Sequence, residues 1–247
     1  MNKIIFQDKR DRFIGGPDRY KEITSNRYIL GHITDILNKS GCQELKYLDI
    51  GCSEGVGSVY LKNILEKILS KKIELYGTDI SLKCRDSCIK NDIKFMKLDL
   101  NEDTLPFKDH FDIITVFEVI EHIFYTDFFI QSVYSALKPG GIAIITTLNT
   151  VSWKNRILVP LGIQPMNTEV SAENLGYGYR YEIIKNYMKK WKPAGHIRQF
   201  TLYSLEDFLK DNKFKVSLRF GIENWRYFRF LESLPNMCTS IGMVITK

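Results

Sequence analysis

From Glu44 onward, apolar runs of strand length alternate with stretches whose apolar residues recur at helical spacing. That alternation is the mark of successive strand–helix–strand units in a parallel sheet. LKYLDI (45–50) is short and apolar enough for a strand buried on both faces. The next segment, Val56 to Ser70, sets Val59, Leu61, Ile64, Leu65, Ile68 and Leu69 at helical spacing. IELYGTDI (73–80) predicts a second strand, Cys84 to Lys90 a short helix, IKFMKLDL (93–100) a third strand and FDIITVFEVI (111–120) a fourth. A helix predicted over Phe124 to Leu137 is stopped by Lys138-Pro139-Gly140-Gly141, because proline cannot continue a helix and glycine takes the left-handed turn. IAIITTL (142–148) is apolar on both faces and reads as a central fifth strand.

The alternation then breaks. Residues 149–195 contain no clean strand, prolines at 160 and 165, a tyrosine-rich GYGYRYE, and one helical stretch around Glu182 to Lys190. An insertion of this length in a compact domain is usually a lid or binding segment. Regularity returns with TLYSLEDFLKDNKF (201–214), a helix whose predicted cap is Ser204 with Asp207 in its first turn. FKVSLRFGI (214–222) and GMVITK (242–247) lack a crossover helix between them and predict an antiparallel pair. The expected organisation is one domain over 1–247, with an N-terminal helical cap (1–43) and a substrate-lid insertion (149–200).

Composition narrows the class. At 247 residues, with 44% hydrophobic and 26% charged residues, the chain is neither disordered nor low in complexity. No apolar run reaches the roughly 20 residues of a membrane helix, and the N-terminus does not resemble a secretory signal. Five cysteines without paired CxxC motifs indicate reduced thiols, a cytoplasmic location and no metal site. The net charge of +6 is modest, short of a dedicated nucleic-acid binder. Its location is more informative: residues 150–200 hold eight Lys and Arg against three Glu.

The strongest local signal is YLDIGCSEGVGS (47–58), a strand, a glycine-rich turn and a helix start. Glycines admit close approach of a ligand to the backbone, and the helix N-terminus offers unpaired N–H donors. A dinucleotide fold would carry G-x-G-x-x-G. Here Ser53 takes the middle position and Val56 stands where the third glycine belongs. Asp49 before the turn would repel a pyrophosphate and suits a ligand bearing an ammonium group. Asp49, Asp79 and Asp99 each stand near the C-terminal end of a successive predicted strand, the edge that faces the ligand crevice in an open parallel sheet. Taken singly, an Asp at a strand end is more often a helix cap or turn residue; it is the three together that point to a ligand.

These motifs resemble the class I S-adenosylmethionine-dependent methyltransferases, in the branch that acts on small molecules and on glycan or lipid-linked intermediates. The resemblance spans about residues 44–247. It implies an α/β, Rossmann-like fold: a seven-stranded, mostly parallel sheet in the order 3-2-1-4-5-7-6, last strand antiparallel, with helices on both faces. It implies that Asp49, Gly51, Cys52, Ser53 and Gly55 wrap the methionine part of the cofactor. Asp79 takes the ribose hydroxyls, Ile80 lies beneath the adenine, and Asp99 accepts the adenine amino group beside Leu100. FEVIEHI (117–123) and LKPGG (137–141) match the segments after the fourth strand and before the fifth, placing Phe117 at the cofactor. Ser53 in place of the middle glycine departs from the pattern and narrows the backbone choices there.

The resemblance further implies transfer of a methyl group from the sulfonium to an oxygen or nitrogen acceptor, leaving S-adenosylhomocysteine. Alignment and exclusion of water supply most of the barrier reduction; a base is needed when the acceptor is protonated. His122 is the first candidate base and His196 the second, against structural readings as a helix-capping histidine and a loop residue respectively. Trp153, Tyr177, Tyr179, Tyr181 and Trp225 are candidates to stack on the acceptor, or else form a minor core under the lid. Competing functions are an RNA methyltransferase, supported by the insertion's charge, and a cofactor-binding module without catalysis. Against RNA, the fourth strand is followed by neither an Asn/Asp-Pro-Pro-Tyr cluster nor a cysteine. A nicotinamide oxidoreductase is disfavoured by the glycine spacing and by Asp49.

Overall fold

The central strands are apolar throughout because both of their faces are covered. In β4 (Phe111–Phe117), Ile114 and Val116 join one apolar cluster while Ile113 and Phe117 join another on the opposite face. β5 (Leu137–Leu148) repeats this, with Ala143 and Ile145 on one side and Ile142 and Ile144 on the other. The period-two alternation is therefore between two cores rather than between core and solvent.

The computed structural model describes residues 17–247, so the first sixteen residues of the expected N-terminal cap lie outside the described residues. The remaining strands are β1 (Glu44–Ile50), β2 (Lys72–Asp79), β3 (Lys94–Lys97), β6 (Lys215–Ile222) and β7 (Ser240–Thr246). They form one seven-stranded sheet in the order β3-β2-β1-β4-β5-β7-β6. β1 pairs in parallel with β2 and β4, as β2 does with β3 and β4 with β5. β7 runs antiparallel to β5 and β6. Order and strand sense agree with the resemblance. The helices are α1 (Pro17–Ser25), α2 (Arg27–Asn38), α3 (Val56–Leu69), α4 (Arg85–Lys90), α5 (Thr126–Ala136), α6 (Trp153–Leu158), α7 (Glu182–Met188) and α8 (Leu202–Asp211). α5 and α8 cover one face through Phe129, Ile130, Val133, Leu202, Leu205 and Leu209. Residues of α1, α2 and α3, among them Ile23, Ile33 and Leu61, cover the other.

Boundaries differ from the sequence reading in instructive places. β4 stops at Phe117 instead of residue 120 because Glu118 takes φ +55, a left-handed conformation that ends a strand. β5 begins at Leu137, absorbing Lys-Pro-Gly-Gly through a register shift against β4, the kind of irregularity at which a strand tolerates proline. α8 is capped by Thr201, whose side chain accepts the Ser204 N–H while the Ser204 hydroxyl accepts the Thr201 N–H. Ser204 is thus the third helical residue of a capping box and not the cap itself. Within the insertion, Tyr179 is buried with Ile163 and Met188 in a small separate core.

Beneath the glycine turn, the Asp49 carboxylate is fully buried. It accepts hydrogen bonds from Tyr20 of α1, Ser58 of α3 and Thr115 of β4. Tyr47 in turn lies 2.8 Å from the Thr115 hydroxyl. Burial pushes the Asp49 pKa up to about 6 against the opposing pull of these donors. Because that value exceeds the ordinary 3.8, folding favours the protonated form. The stability it contributes is fully present below about pH 4 and is lost as pH rises through about 6. The difference in unfolding free energy between wild type and Asp49→Asn is therefore expected to move by up to about 3 kcal/mol in the variant's favour between pH 4 and 7. Denaturant titrations of both proteins across that range measure it, and a pH-independent difference would contradict the burial argument.

Candidate active site

The C-terminal edge of the sheet opens on a cavity of about 730 Å³ at the point where the strand order reverses between β1 and β4, the position at which open α/β sheets take ligands. Gly51, Asp79, Ile80, Asp99, Leu100 and Phe117 all line it, as the resemblance implied. Gly51 sits at φ +76, and a Cβ there would lie 2.5 Å from Val119 Cγ2. Its N–H donates to the Thr78 carbonyl (2.8 Å), which fixes the turn to β2. Gly57 abuts the Tyr20 ring so closely that a Cβ would come within 2.2 Å of it, so α1 rests directly on the start of α3.

Asp79 does two jobs. One carboxylate oxygen accepts the Ser53 N–H (3.0 Å) and the other the Ser81 N–H (2.9 Å), locking both loops. Asp99 lies two residues past β3 in a turn, its carboxylate accepting the Asn101 N–H at 3.1 Å. Four of the expected cofactor residues are not at the cavity wall. Asp49 is buried below the turn and turned toward its hydroxyl donors, so it holds the turn from beneath. Cys52, Ser53 and Gly55 likewise form the turn without lining the cavity. Ser53 adopts φ +49, the left-handed conformation a glycine would take there without strain. The Cys52 sulfur packs 3.9 Å from that of Cys88.

None of the five expected acceptor-stacking aromatics lines the cavity. Tyr179 belongs to the insertion's own core, while Tyr177 and Tyr181 are exposed. Trp153 stacks on Phe228 at 4.4 Å, meets Trp225 edge-on at 5.9 Å and donates to Glu223 at 3.2 Å. These two tryptophans pin the insertion to the segment before β7.

Both histidine candidates do line the cavity, with ring centroids 5.0 Å apart. His122 Nδ1 lies 3.2 Å from the Gly195 carbonyl. Burial, aided by His196, pulls the His122 pKa down to about 4. His196 Nδ1 lies 3.2 Å from a carboxylate oxygen of Glu169. Next to them Glu121 is buried, one oxygen accepting the Thr147 hydroxyl (2.9 Å) and the other without a hydrogen-bond partner among the described residues. Burial and the neighbouring Glu118 push the Glu121 carboxyl well above the usual range. Glu118, strained at φ +55, pairs with buried Arg19 of α1 at 3.1 Å. The donor atoms of Glu121, His122 and His196 lie within 4.8 Å of one another, a set of ligand types suited to a divalent transition metal that the cysteine pattern gave no reason to expect. Arg19, Lys21 and Asn224 also line the wall.

The Asp79→Ala variant is expected to bind S-adenosylmethionine about 1.5–3 kcal/mol more weakly, the contribution of a charge-assisted hydrogen bond. Calorimetry checks it, and unchanged affinity would contradict the ribose assignment.

Comparison with known proteins agrees with this geometry. A family model described as a methyltransferase domain matches residues 18–218. The chain is 27% identical over 215 residues to a ubiquinone biosynthesis O-methyltransferase of Rickettsia typhi, covering 83% of this chain and 81% of that one. It is 30% identical over 123 residues to the mitochondrial ubiquinone biosynthesis O-methyltransferase of Mus musculus, covering 48% of this chain. That match spans about a third (32%) of the mouse protein's length. Among solved structures, an S-adenosylmethionine-dependent methyltransferase of Mesorhizobium loti shares the fold, with TM-score 0.59 and 15% identity over 94% of this chain and 100% of that one. With four-fifths of its length matched, the chain belongs to this methyltransferase domain family, whose cofactor is S-adenosylmethionine.

Proposed function

We propose that this methyltransferase moves the sulfonium methyl of S-adenosylmethionine to a hydroxyl oxygen of a small aromatic acceptor bearing an apolar tail. The carbon–sulfur bond breaks, a carbon–oxygen bond forms, the acceptor proton passes to a base, and S-adenosylhomocysteine leaves. One observation carries the reading: two imidazoles, His122 and His196, share a cavity with the acidic cradle of the cofactor. With a pKa of about 4, His122 is unprotonated at neutral pH and so is competent to accept a proton. Asp79 and Asp99 are assigned to the ribose and the adenine, Gly51 and the turn to the methionine end, and Arg19 to the closing wall.

The lipid-like character of the acceptor rests on the rim. Phe124, Tyr125 and Ile197 are exposed and follow closely in sequence on the wall residues Ile123 and His196. An apolar tail has somewhere to lie as it leaves the cavity. The relatives named for ubiquinone biosynthesis point to the same chemistry. In this reading the chain is a single domain, 149–200 covers the acceptor, and among the described residues no helix is long and apolar enough to cross a membrane.

Incubation with labelled cofactor and a catechol bearing a short isoprenoid chain, the same catechol without the chain, or bulk tRNA separates the alternatives. Methyl ether formation on the prenylated catechol is expected, with KM at least about tenfold higher for the tailless compound, the effect of burying two or so CH₂ groups at ~0.8 kcal/mol each. Label appearing in tRNA alone, or in none of the three, would overturn the proposal. Replacing His122 or His196 by alanine is expected to lower kcat about a hundredfold or more while leaving calorimetric cofactor affinity nearly unchanged. Parallel losses of turnover and affinity would instead mark a structural histidine.

A further inference from the structure

Of the residues of α4 only Cys88 is buried, so its thiol is what the helix inserts beside the cofactor turn. That thiol donates to the Ser53 carbonyl at 3.2 Å, and the Cys52 sulfur, within the turn, lies 3.6 Å from the same oxygen. The two sulfurs are 3.9 Å apart, in contact and unbonded. Beside them the Ser87 hydroxyl donates to the Glu54 carbonyl at 3.0 Å. Two consecutive carbonyls of the turn thus receive donors from α4. The Ser53 N–H serves the other side, donating at 3.0 Å to Asp79, the carboxylate assigned to the ribose. Glycine at position 77 makes room for the Cys52 sulfur, since a Cβ there would lie 2.7 Å from it.

A disulfide holds its sulfurs at about 2 Å, well inside the 3.9 Å of this contact. Forming one also removes both S–H groups, and with them the thiol donors of the Ser53 carbonyl. We propose that Cys52 and Cys88 are a redox pair: a peroxide joins them in a disulfide that deforms the cofactor turn and weakens the hold on S-adenosylmethionine. Two thiols and one hydrogen peroxide give one disulfide and two waters. The Cys88 sulfur attacks a peroxide oxygen, the O–O bond breaks, and the departing hydroxide takes the thiol proton as the first water. The Cys52 sulfur then attacks the sulfenic sulfur, and the S–O bond breaks to release the second water. Two electrons pass from the sulfurs to the peroxide. Cys88 reacts first, because contact with Cys52 pulls its thiol down while the same contact, and then burial, push Cys52 up. Oxidant enters by local opening of a short helix whose Arg85, Asp86, Ile89 and Lys90 already face solvent. The inference rests on the cofactor alone, and not on the acceptor or the histidine roles proposed above.

The test treats the full chain with hydrogen peroxide, alkylates it, digests it without reductant and maps the peptides by mass. A Cys52–Cys88 linkage is expected. Calorimetry is expected to show S-adenosylhomocysteine bound about tenfold or more weakly by the linked protein, with full affinity restored by dithiothreitol. Linkage demands the reverse effect: saturating S-adenosylhomocysteine should raise the reduction potential of the pair by about 30 mV for each tenfold. Cys88→Ser should lose the response to peroxide, while Cys42→Ser and Cys84→Ser should keep it. The proposal fails if peroxide links Cys88 to Cys84 in the wild type, or leaves Cys52 and Cys88 as thiols. It fails equally if the linked protein binds S-adenosylhomocysteine as tightly as the reduced one, whatever the folding of the variants. A loss of affinity that dithiothreitol does not reverse marks oxidation beyond the disulfide and also overturns it.

Discussion

A single carboxylate with no access to water organises this molecule. Asp49 lies under the cofactor turn, and the groups that satisfy it come from three separate places: a tyrosine of α1, a serine of α3 and a threonine of β4. An acidic group taken out of water is costly unless donors surround it, so the three elements hold their relative positions by satisfying the same group. The turn above it takes a left-handed backbone at Gly51, Ser53 and Gly55 and is tied to β2 by the Gly51 and Cys52 N–H groups, both donating to the Thr78 carbonyl. α1 consequently braces the cavity from the side. Its Tyr20 anchors Asp49, and its Arg19 pairs with Glu118 at the cavity wall.

The two ends of the cavity are built by different means. The cofactor end is made of strand ends and the turns that follow them, rigid because the sheet is covered on both faces. The other end, which the proposed function gives to the acceptor, is assembled from pieces distant in the chain: the short turn after β4, the 194–196 turn and α1. Its polar groups are held by backbone hydrogen bonds across these pieces, with Glu121 supplying a carbonyl to one turn and Glu169 a carboxylate to the same turn from the other side. Such an arrangement lets the acceptor pocket vary while the cofactor pocket stays fixed, which fits a fold that hosts many acceptors.

Sheet order, strand sense and the positions of Asp79, Asp99 and both histidines were legible in the sequence, since buried strands and glycine turns leave strong local patterns. Asp49 was legible as an important acid but not in its role. Whether a side chain at a strand end faces ligand or core depends on the pleat and on what packs above, and here Tyr20, Ser58 and Thr115 draw it inward. The aromatic residues of the insertion misled for a related reason: composition cannot separate rings that pack on each other, as Trp153 does on Phe228, from rings that await a ligand. Glu169 gave no periodic signal at all, because it acts from an irregular loop through tertiary contacts. The early end of β4 was hidden because a left-handed glutamate is rare and no propensity announces it.

The most direct measurement is a crystal structure of the protein with S-adenosylhomocysteine. The account predicts the ribose hydroxyls on Asp79, the adenine beside Asp99 and Leu100, and the sulfur directed to the wall formed by His122 and His196. A nucleoside seated elsewhere, or a sulfur facing away from both histidines, would contradict it.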